Sequence, residues 1–224
     1  MNRAKFDRIE KYMLSCMLDA AHDKSHVYRV LYNALDIAKY ETNVDHDLLI
    51  TSCLLHDIGR KEQFENPALD HAAVGGDKAY KFLTECGEDS AFAEKVRECI
   101  VSHRFRKNEQ PKSLEAKILF DADKLDVTGA MGIARTLVYK GAVNDPLYSL
   151  NENGMPSRGE NDDRPSFFQE YNYKLKNLYS RFYTKRGAEL AESRKDAARS
   201  FYENLYNEVS ETYRGASELD KLID

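Results

Sequence analysis

Histidine and aspartate side chains interrupt two apolar stretches of this 224-residue chain. His56 and Asp57 lie in the run LLHDIGR at residues 54–60, and three carboxylates lie in DADKLD at residues 121–126. His26 precedes both runs. Imidazole nitrogen and carboxylate oxygen together suit a divalent first-row cation. Because the ligands would come from separate segments, positions on the cation could stay open for water and substrate, which favours hydrolysis.

The composition is typical of a soluble globular protein. Hydrophobic residues make up 42% of the chain and charged residues 32%, and the length allows one sizeable core. We therefore expect a single domain over residues 1–224. The formal net charge of -5 offers no broad basic surface for phosphate backbones, so we expect no nucleic-acid partner.

The N-terminal sequence favours a cytoplasmic protein. Residues 1–7 lead into an amphipathic pattern without an apolar signal core, and no segment is long enough to cross a bilayer, so we expect no membrane partner. The four cysteines lie far apart without a Cys-x-x-Cys pair, which favours reduced thiols over a structural zinc site.

Hydrophobic residues recur at steps of three and four along most of the chain, which predicts an all-α fold. All five prolines fall between these periodic segments, where a missing amide donor does least damage. The predicted helices cover residues 6–20, 27–38, 45–56, 70–86, 89–103, 113–126, 128–140, 166–184 and 186–213.

A polar loop and an aromatic-rich stripe dominate the C-terminal part. The loop, at about residues 144–165, is rich in turn formers and could be a lid or merely mobile. The stripe over residues 167–182 favours a core or a homodimer face over a base-stacking surface. We expect the helices over about residues 166–213 to be an appended layer of the same domain.

The ordered set of His26, the His56-Asp57 pair and an Asp in an Ala-Asp-Lys-Leu context resembles the HD-domain metal-dependent phosphohydrolases. The resemblance covers about residues 20–140. It implies an HD-type helical bundle in which His26, His56, Asp57 and Asp123 bind the metal. Asp121 and Asp126 are alternatives to Asp123, and side chains two or three positions apart on a helix point in different directions.

Two further histidines have candidate catalytic roles. The resemblance implies that His71 and His103 either bind a second metal, with Asp57 bridging, or face the substrate phosphates. There an imidazole can donate a hydrogen bond or transfer a proton. The alternative is that both are helix-end histidines packed structurally. His22 could support His26, and we expect His46 to be exposed.

Cations near these ligands could hold phosphate oxygens. We predict substrate-binding roles for Arg60 and Lys124, while Lys61, Arg104 and Arg106 are weaker candidates. Arg60 stands where the nucleoside 5'-monophosphatases of the superfamily carry a glutamate, which argues against that activity.

The local sequence around these residues is similar to that of a narrower bacterial branch of the superfamily. It comprises HDxxH at residues 22–26 followed by Arg29, then LHDIGR at residues 55–60, and then DADKLD leading into GAMGIAR at residues 129–135. The branch includes manganese-dependent pyrophosphohydrolases of nucleoside and deoxynucleoside triphosphates.

This similarity implies attack at the α-phosphorus, with release of pyrophosphate. Manganese is the expected metal, with Mg, Fe, Co or Ni as alternatives. The alternative functions are hydrolysis of another phosphoester, a di-iron oxygenase and a noncatalytic nucleotide sensor. The P-loop, nucleophile-elbow and Rossmann fingerprints do not occur in the sequence, which argues against those classes.

Overall fold

The computed structural model describes residues 1–17, 24–104, 110–219 and 221–223. The predicted supporting histidine His22 and the candidate cation Arg106 lie outside these residues. The helices are α1 (Arg3–Cys16), α2 (Lys24–Ala38), α3 (His46–Leu55), α4 (Arg60–Glu65), α5 (His71–Glu85), α6 (Ser90–Val101), α7 (Leu114–Leu125), α8 (Gly129–Ala142), α9 (Phe167–Tyr173), a 3-10 helix (Leu175–Ser180), α10 (Lys185–Tyr213) and α11 (Ala216–Leu219).

The predicted all-α fold is confirmed. Within the described ranges there is no strand, and extended pairing is limited to one bridge between Leu150 and Pro156. The short helix α4 was not predicted, and the helix predicted over residues 166–184 is interrupted after Tyr173. At the interruption the Asn177 side-chain amide donates to the carbonyls of Asn172 and Tyr173. The side-chain amide thus occupies backbone carbonyls that would otherwise accept the hydrogen bonds of a continuing helix.

The chain divides into two compact units. Unit 1 contains Met1–Asp126 and Phe182–Gly187, and unit 2 contains Val127–Arg181 and Ala188–Asp224. The expectation of a single domain stays a prediction.

Helix α3 lies at the centre of unit 1 and packs on α1, α2, α5, α6 and α7. Leu49, Cys53 and Leu54 are fully buried, as expected for a helix that is apolar on every side. Asp45 caps its N-terminus by accepting a hydrogen bond from the Leu48 amide at 3.0 Å. The buried helix therefore begins at a defined place, and it ends immediately before His56 and Asp57.

A glycine contact fixes the turn after Asp57 against α5. A Cβ on Gly59 would lie 2.3 Å from the His71 carbonyl oxygen and 2.6 Å from the Gly75 amide nitrogen. No side chain fits at that distance, so Gly59 allows the His-Asp turn to approach the beginning of α5. The same contact places His71 beside Asp57.

Unit 2 has its own aromatic core, which confirms the core interpretation of the stripe. Phe167 and Phe168 are fully buried, and Tyr171 stacks on Tyr202 with ring centroids 4.1 Å apart. Ile133 of α8 and Ala198 of α10 complete the cluster. The homodimer face stays a prediction.

The polar loop before α9 is held to unit 2 by hydrogen bonds. Asp162 accepts from the hydroxyls of Ser149 and Ser157, and its carbonyl accepts from the Gln169 amide at 3.2 Å. The Asn172 side chain donates to the Arg158 carbonyl at 2.6 Å. These bonds give the loop a defined conformation.

None of the described helices combines the length and the apolar composition that a membrane span requires. The four cysteines carry free thiols, and Cys53 and Cys99 are buried.

Gly59→Ala should lower the free energy of unfolding by about 1–3 kcal/mol, because the new methyl group must displace the backbone of α5. Gly141→Ala is the matched control, since a Cβ there meets nothing within 4 Å. It should be neutral or slightly stabilising. Chemical denaturation of both variants would measure the difference, and equal stabilities would contradict the packing argument.

Candidate metal centre

Six imidazole and carboxylate side chains of unit 1 meet around one point. They come from five places in the chain: α2, the turn after α3, the start of α5, the turn after α6, and α7. The six residues are His26, His56, Asp57, His71, His103 and Asp123. All the predicted metal ligands and both predicted catalytic histidines are therefore brought together.

The Asp57 carboxylate lies between two groups of side chains. Its Oδ2 atom is 3.5 Å from His26 Nε2 and 3.6 Å from His56 Nε2. Its Oδ1 atom is 3.4 Å from His71 Nε2 and 3.7 Å from His103 Nε2. Asp57 therefore has the geometry of a bridging carboxylate.

Asp123 completes the first group. Its Oδ1 atom lies 3.3 Å from His26 Nε2 and 3.9 Å from His56 Nε2. His26, His56 and Asp123 form one group that could hold a metal ion, and Asp57, His71 and His103 form another.

Acceptors outside the cluster orient the imidazole rings. The Nδ1 atom of His56 is 2.8 Å from the Cys53 carbonyl, and that of His103 is 2.5 Å from the Ile100 carbonyl. A carbonyl can only accept, so both Nδ1 atoms carry the proton. In both rings Nε2 is therefore the atom that faces the cluster, as metal binding through Nε2 requires.

His71 is oriented by a side chain that the sequence analysis did not identify. Its Nδ1 atom is 2.6 Å from Gln63 Oε1 and 3.0 Å from a guanidinium nitrogen of Arg104. Because the contact with Gln63 Oε1 is the shorter one and an amide oxygen can only accept, we assign a proton to His71 Nδ1. Gln63 is itself fixed, because its amide donates to the Leu69 carbonyl at 3.0 Å.

Asp126 supports His26 from the opposite side of the ring. Its Oδ2 atom is 2.7 Å from His26 Nδ1, and both carboxylate oxygens accept hydrogen bonds from Arg29, at 2.6 and 2.9 Å. Such a carboxylate raises the basicity of a ligating imidazole. Asp126 was a candidate ligand because it is the last residue of DADKLD, whereas the structure places it behind His26, on the side of the ring away from the cluster.

Asp121 points away from the cluster. It is fully buried and accepts hydrogen bonds from the amides of Tyr183 and Thr184 and from the Thr184 hydroxyl. Asp121 thus holds the segment before α10. Of the three carboxylates in DADKLD, only Asp123 faces the metal-binding group.

The acidic groups of the cluster are held in their charged form. Burial raises the pKa of Asp57, but the charges of His56 and Arg60 outweigh it and hold the pKa well below its usual range. Burial likewise raises the pKa of Asp123, and the hydrogen bond and charge of His26 reverse that effect. The buried carboxylate of Asp57 and the half-buried carboxylate of Asp123 thus stay negative.

The histidines divide into charged and neutral groups. Burial lowers the pKa of His26, but its close contacts with the carboxylates of Asp123, Asp126 and Asp57 outweigh that effect and raise the pKa to about 10. Burial, then the charge of Arg60, lowers the pKa of His71 to about 2. Burial, then the charge of His56, lowers the pKa of His103 to about 4. Without metal, a proton on His26 partly balances the carboxylates.

The predicted cations occupy different surroundings. Arg60 donates from Nε to Asp57 Oδ1 at 2.9 Å, on the side of Asp57 that faces His71. The Lys124 ammonium lies 4.2 Å from the centre of the Phe120 ring. Lys61 is exposed and pairs with Glu65 at 3.9 Å. His46 is exposed, as expected.

Several buried atoms of the cluster fit a metal-binding role. Among the residues that the structure describes, Asp57 Oδ2, His71 Nε2 and His103 Nε2 are buried without a hydrogen-bond partner. Buried polar atoms without partners are costly unless they have a ligand or a functional role. A donor set that combines imidazole and carboxylate suits Mn, Fe, Co, Ni or Zn better than it suits Ca or Mg.

The metal-free protein should show a wide separation of histidine pKa values. Titration followed by nitrogen-15 NMR should find His26 protonated at pH 8, and His71 and His103 neutral at pH 6. The raised pKa of His26 stabilises the folded state fully below pH 6.5, and that stabilisation is lost as pH rises towards about 10. A His26→Gln variant should lack this pH-dependent contribution to the free energy of unfolding. Titration of His26 below pH 7 would contradict the assigned contacts.

Comparison with known proteins agrees with this geometry. The sequence profile of the HD domain family matches residues 24–128. Uncharacterized protein YpgQ of Bacillus subtilis strain 168 is 28% identical over 209 residues, which cover 91% of this chain and 93% of YpgQ. The crystal structure of YpgQ in complex with ADP matches with a TM-score of 0.71 at 27% identity, over 91% of this chain and 97% of YpgQ.

Two other solved structures extend the comparison. A predicted HD superfamily hydrolase from an uncultured Thermotogales bacterium is 29% identical, with a TM-score of 0.59 over 92% of each chain. An HD-superfamily hydrolase from Bacillus thuringiensis is 26% identical, with a TM-score of 0.69 over 92% of this chain and 97% of its own. The order of these side chains along the chain, the helical fold and the geometry of the cluster agree with these similarities, and residues 24–128 of the chain match the HD domain family.

Proposed function

We propose that this protein is a metal-dependent phosphohydrolase that converts nucleoside or deoxynucleoside triphosphates to monophosphate and pyrophosphate. The observation that carries the proposal is the buried Asp57 carboxylate between two histidine groups, whose Nε2 atoms all lie within 3.7 Å of it. This arrangement would place a divalent cation and the neutral imidazoles of His71 and His103 beside the same Asp57 carboxylate.

The metal would be held by His26, His56, Asp57 and Asp123, with manganese as the preferred ion. When bound, a divalent cation lowers the pKa of water and neutralises charge on a phosphoryl group. Asp126 and Arg29 hold the His26 ring in place behind this set.

Arg60 favours one metal ion over two. Its guanidinium donates to Asp57 Oδ1, the oxygen that faces His71 and His103. A second cation on that side would meet this positive charge at short range. Arg60 therefore supplies a fixed charge where a second ion would otherwise lie. Our proposal also gives Arg60 and Lys124 the role of holding phosphate oxygens, although the Lys124 ammonium lies over the Phe120 ring in this structure.

His71 and His103 are suited to orienting the attacking water. Burial keeps both neutral, and their Nε2 atoms face Asp57 without a hydrogen-bond partner in the described structure. An imidazole whose pKa lies this far below neutral pH is a weak base, so it accepts a hydrogen bond from water rather than the proton itself. Because pyrophosphate is a good leaving group, electrostatic positioning should contribute more than acid assistance.

A nucleotide substrate is supported by the ADP complex of YpgQ and by Arg60. YpgQ shares 27% identity over almost all of this chain. An arginine in place of the glutamate of monophosphatase relatives adds positive charge, which suits a polyphosphate better than a single phosphate.

Asp57→Ala should weaken metal binding by about 100-fold or more, because loss of a ligand should cost at least as much as loss of a supporting residue. Metal content after dialysis, measured by elemental analysis, tests this. Lys61→Ala is the control, since Lys61 is a nearby exposed charge that does not face the cluster. Undiminished metal content in a folded Asp57→Ala protein would remove Asp57 from the ligand set.

Hydrolysis of a deoxynucleoside triphosphate with manganese should yield the monophosphate and intact pyrophosphate. In heavy-oxygen water the label should enter the monophosphate, because water attacks the α-phosphorus. Mass spectrometry of both products would locate the label, and metal-free protein is the blank.

Label in orthophosphate, with a nucleoside diphosphate as the other product, would mean γ-attack and would end the pyrophosphohydrolase proposal. The proposed metal set would survive that result. The ligands determine how water is activated, and they say less about which phosphorus receives it.

A further inference from the structure

Unit 2 contains a cleft of about 230 Å³ that concentrates positive charge. Arg158, Lys176, Lys195 and Arg199 line it, and only two carboxylates, Glu160 and Glu203, accompany them. The lining therefore carries a net formal charge of +2, in a chain whose net charge is -5. The four cations come from three separate segments, the loop before α9, the 3-10 helix and α10.

The ion pairs across the cleft are loose. Lys176 Nζ is 3.4 Å from Glu160 Oε1, and Arg158 Nη1 is 3.5 Å from Glu203 Oε2. Both glutamate side chains are about half exposed, at 56% and 45%. Exposed pairs of this kind contribute little to stability, so the glutamates can turn aside at low cost.

The other two cations have partners on α10 itself. Lys195 pairs with Glu192 at 3.1 Å, and Arg199 pairs with Asp196 at 3.0 Å. In both pairs the partners are exposed and three residues apart on the helix, and each pair stabilises the helix by only about a few tenths of a kcal/mol. Lys195 and Arg199 could therefore turn towards a ligand of higher charge. Lys176 and Arg158 are already held beside the cleft, because Lys176 donates to Asn172 Oδ1 at 2.8 Å and the Arg158 guanidinium lies 4.1 Å from the centre of the Tyr206 ring.

The wall behind the cations is rigid. The Arg158 carbonyl accepts hydrogen bonds from Asn172 Nδ2 and from the Tyr202 hydroxyl, both at 2.6 Å. Tyr202 stacks on Tyr171, which also lines the cleft. Burial raises the pKa of Tyr171 to about 12, so its hydroxyl stays neutral and able to donate. The base of the cleft therefore adds no negative charge of its own at neutral pH.

We propose that this cleft binds a small multiply charged oxyanion of the diphosphate class. A volume of about 230 Å³ is too small for a peptide or an oligonucleotide but admits a diphosphate. Two arginines supply planar donors for phosphate oxygens, and two lysines supply compact charge. The proposal does not depend on the reaction proposed for the HD domain.

The test is calorimetric titration of the full-length, metal-free protein with inorganic pyrophosphate, after the chelator has been dialysed away. We expect saturable binding that weakens as salt is added, because the attraction is electrostatic. The double variant Lys176→Gln, Arg199→Gln should bind about tenfold more weakly, since two charge-assisted contacts are lost.

Two controls locate the binding. Lys174→Gln removes a positive charge two residues from Lys176 that pairs with Glu170 and does not line the cleft, so it should change the affinity by less than about twofold. Pyrophosphate is also a product of the proposed reaction and could bind beside Asp57. Arg60→Gln should therefore leave the cleft affinity unchanged.

Absence of saturable binding would overturn the proposal. Binding that is lost in Arg60→Gln but kept in the double cleft variant would also overturn it, and would instead assign pyrophosphate to the HD domain. A parallel titration with ADP separates the two sources of a diphosphate group. ADP binding no tighter than pyrophosphate would identify the free ion as the ligand, whereas a more than tenfold gain would identify a nucleoside diphosphate.

Discussion

The burial of the Asp57 carboxylate is the constraint on which the rest of the site depends. A buried charge is costly unless opposite charge or hydrogen bonds compensate it. Here Arg60 donates to one oxygen, and protonated His26 lies near the other. Neutral His71 and His103 point lone pairs at the same carboxylate and offer it no compensation. The arrangement is electrostatically incomplete in a way that a divalent cation would correct.

The unit 1 scaffold holds these groups close to one another from outside the cluster. Each imidazole has its Nδ1 atom held from outside, by Asp126, Gln63 or a backbone carbonyl. Gly59 allows the turn that carries Asp57 to lie against α5, where His71 begins the helix. The orientation of the rings and the position of the turn thus follow from contacts outside the cluster. Preorganisation of this kind lowers the cost of binding a metal.

Local charge in this protein departs from its average charge. The whole chain is acidic, yet the cleft of unit 2 gathers four cations against two carboxylates. Arg158 joins Lys176, Lys195 and Arg199 at the cleft because the loop before α9 is bound to Asn172 and Tyr202. Net charge alone excludes a broad basic surface but says nothing about such a cleft.

The sequence by itself determined the all-α class, most of the helices, the aromatic core of unit 2 and the residues that form the cluster. Those features follow from hydrophobic periodicity and from a ligand order that matches a known family, and both are local or ordered along the chain. Only the tertiary structure decided that Asp123 faces the cluster while Asp121 holds the Tyr183–Thr184 segment and Asp126 supports His26. It also decided that Gln63 orients His71 and that Arg60 lies on Asp57 Oδ1. These roles depend on which partners approach from distant parts of the chain, and helical spacing cannot specify them.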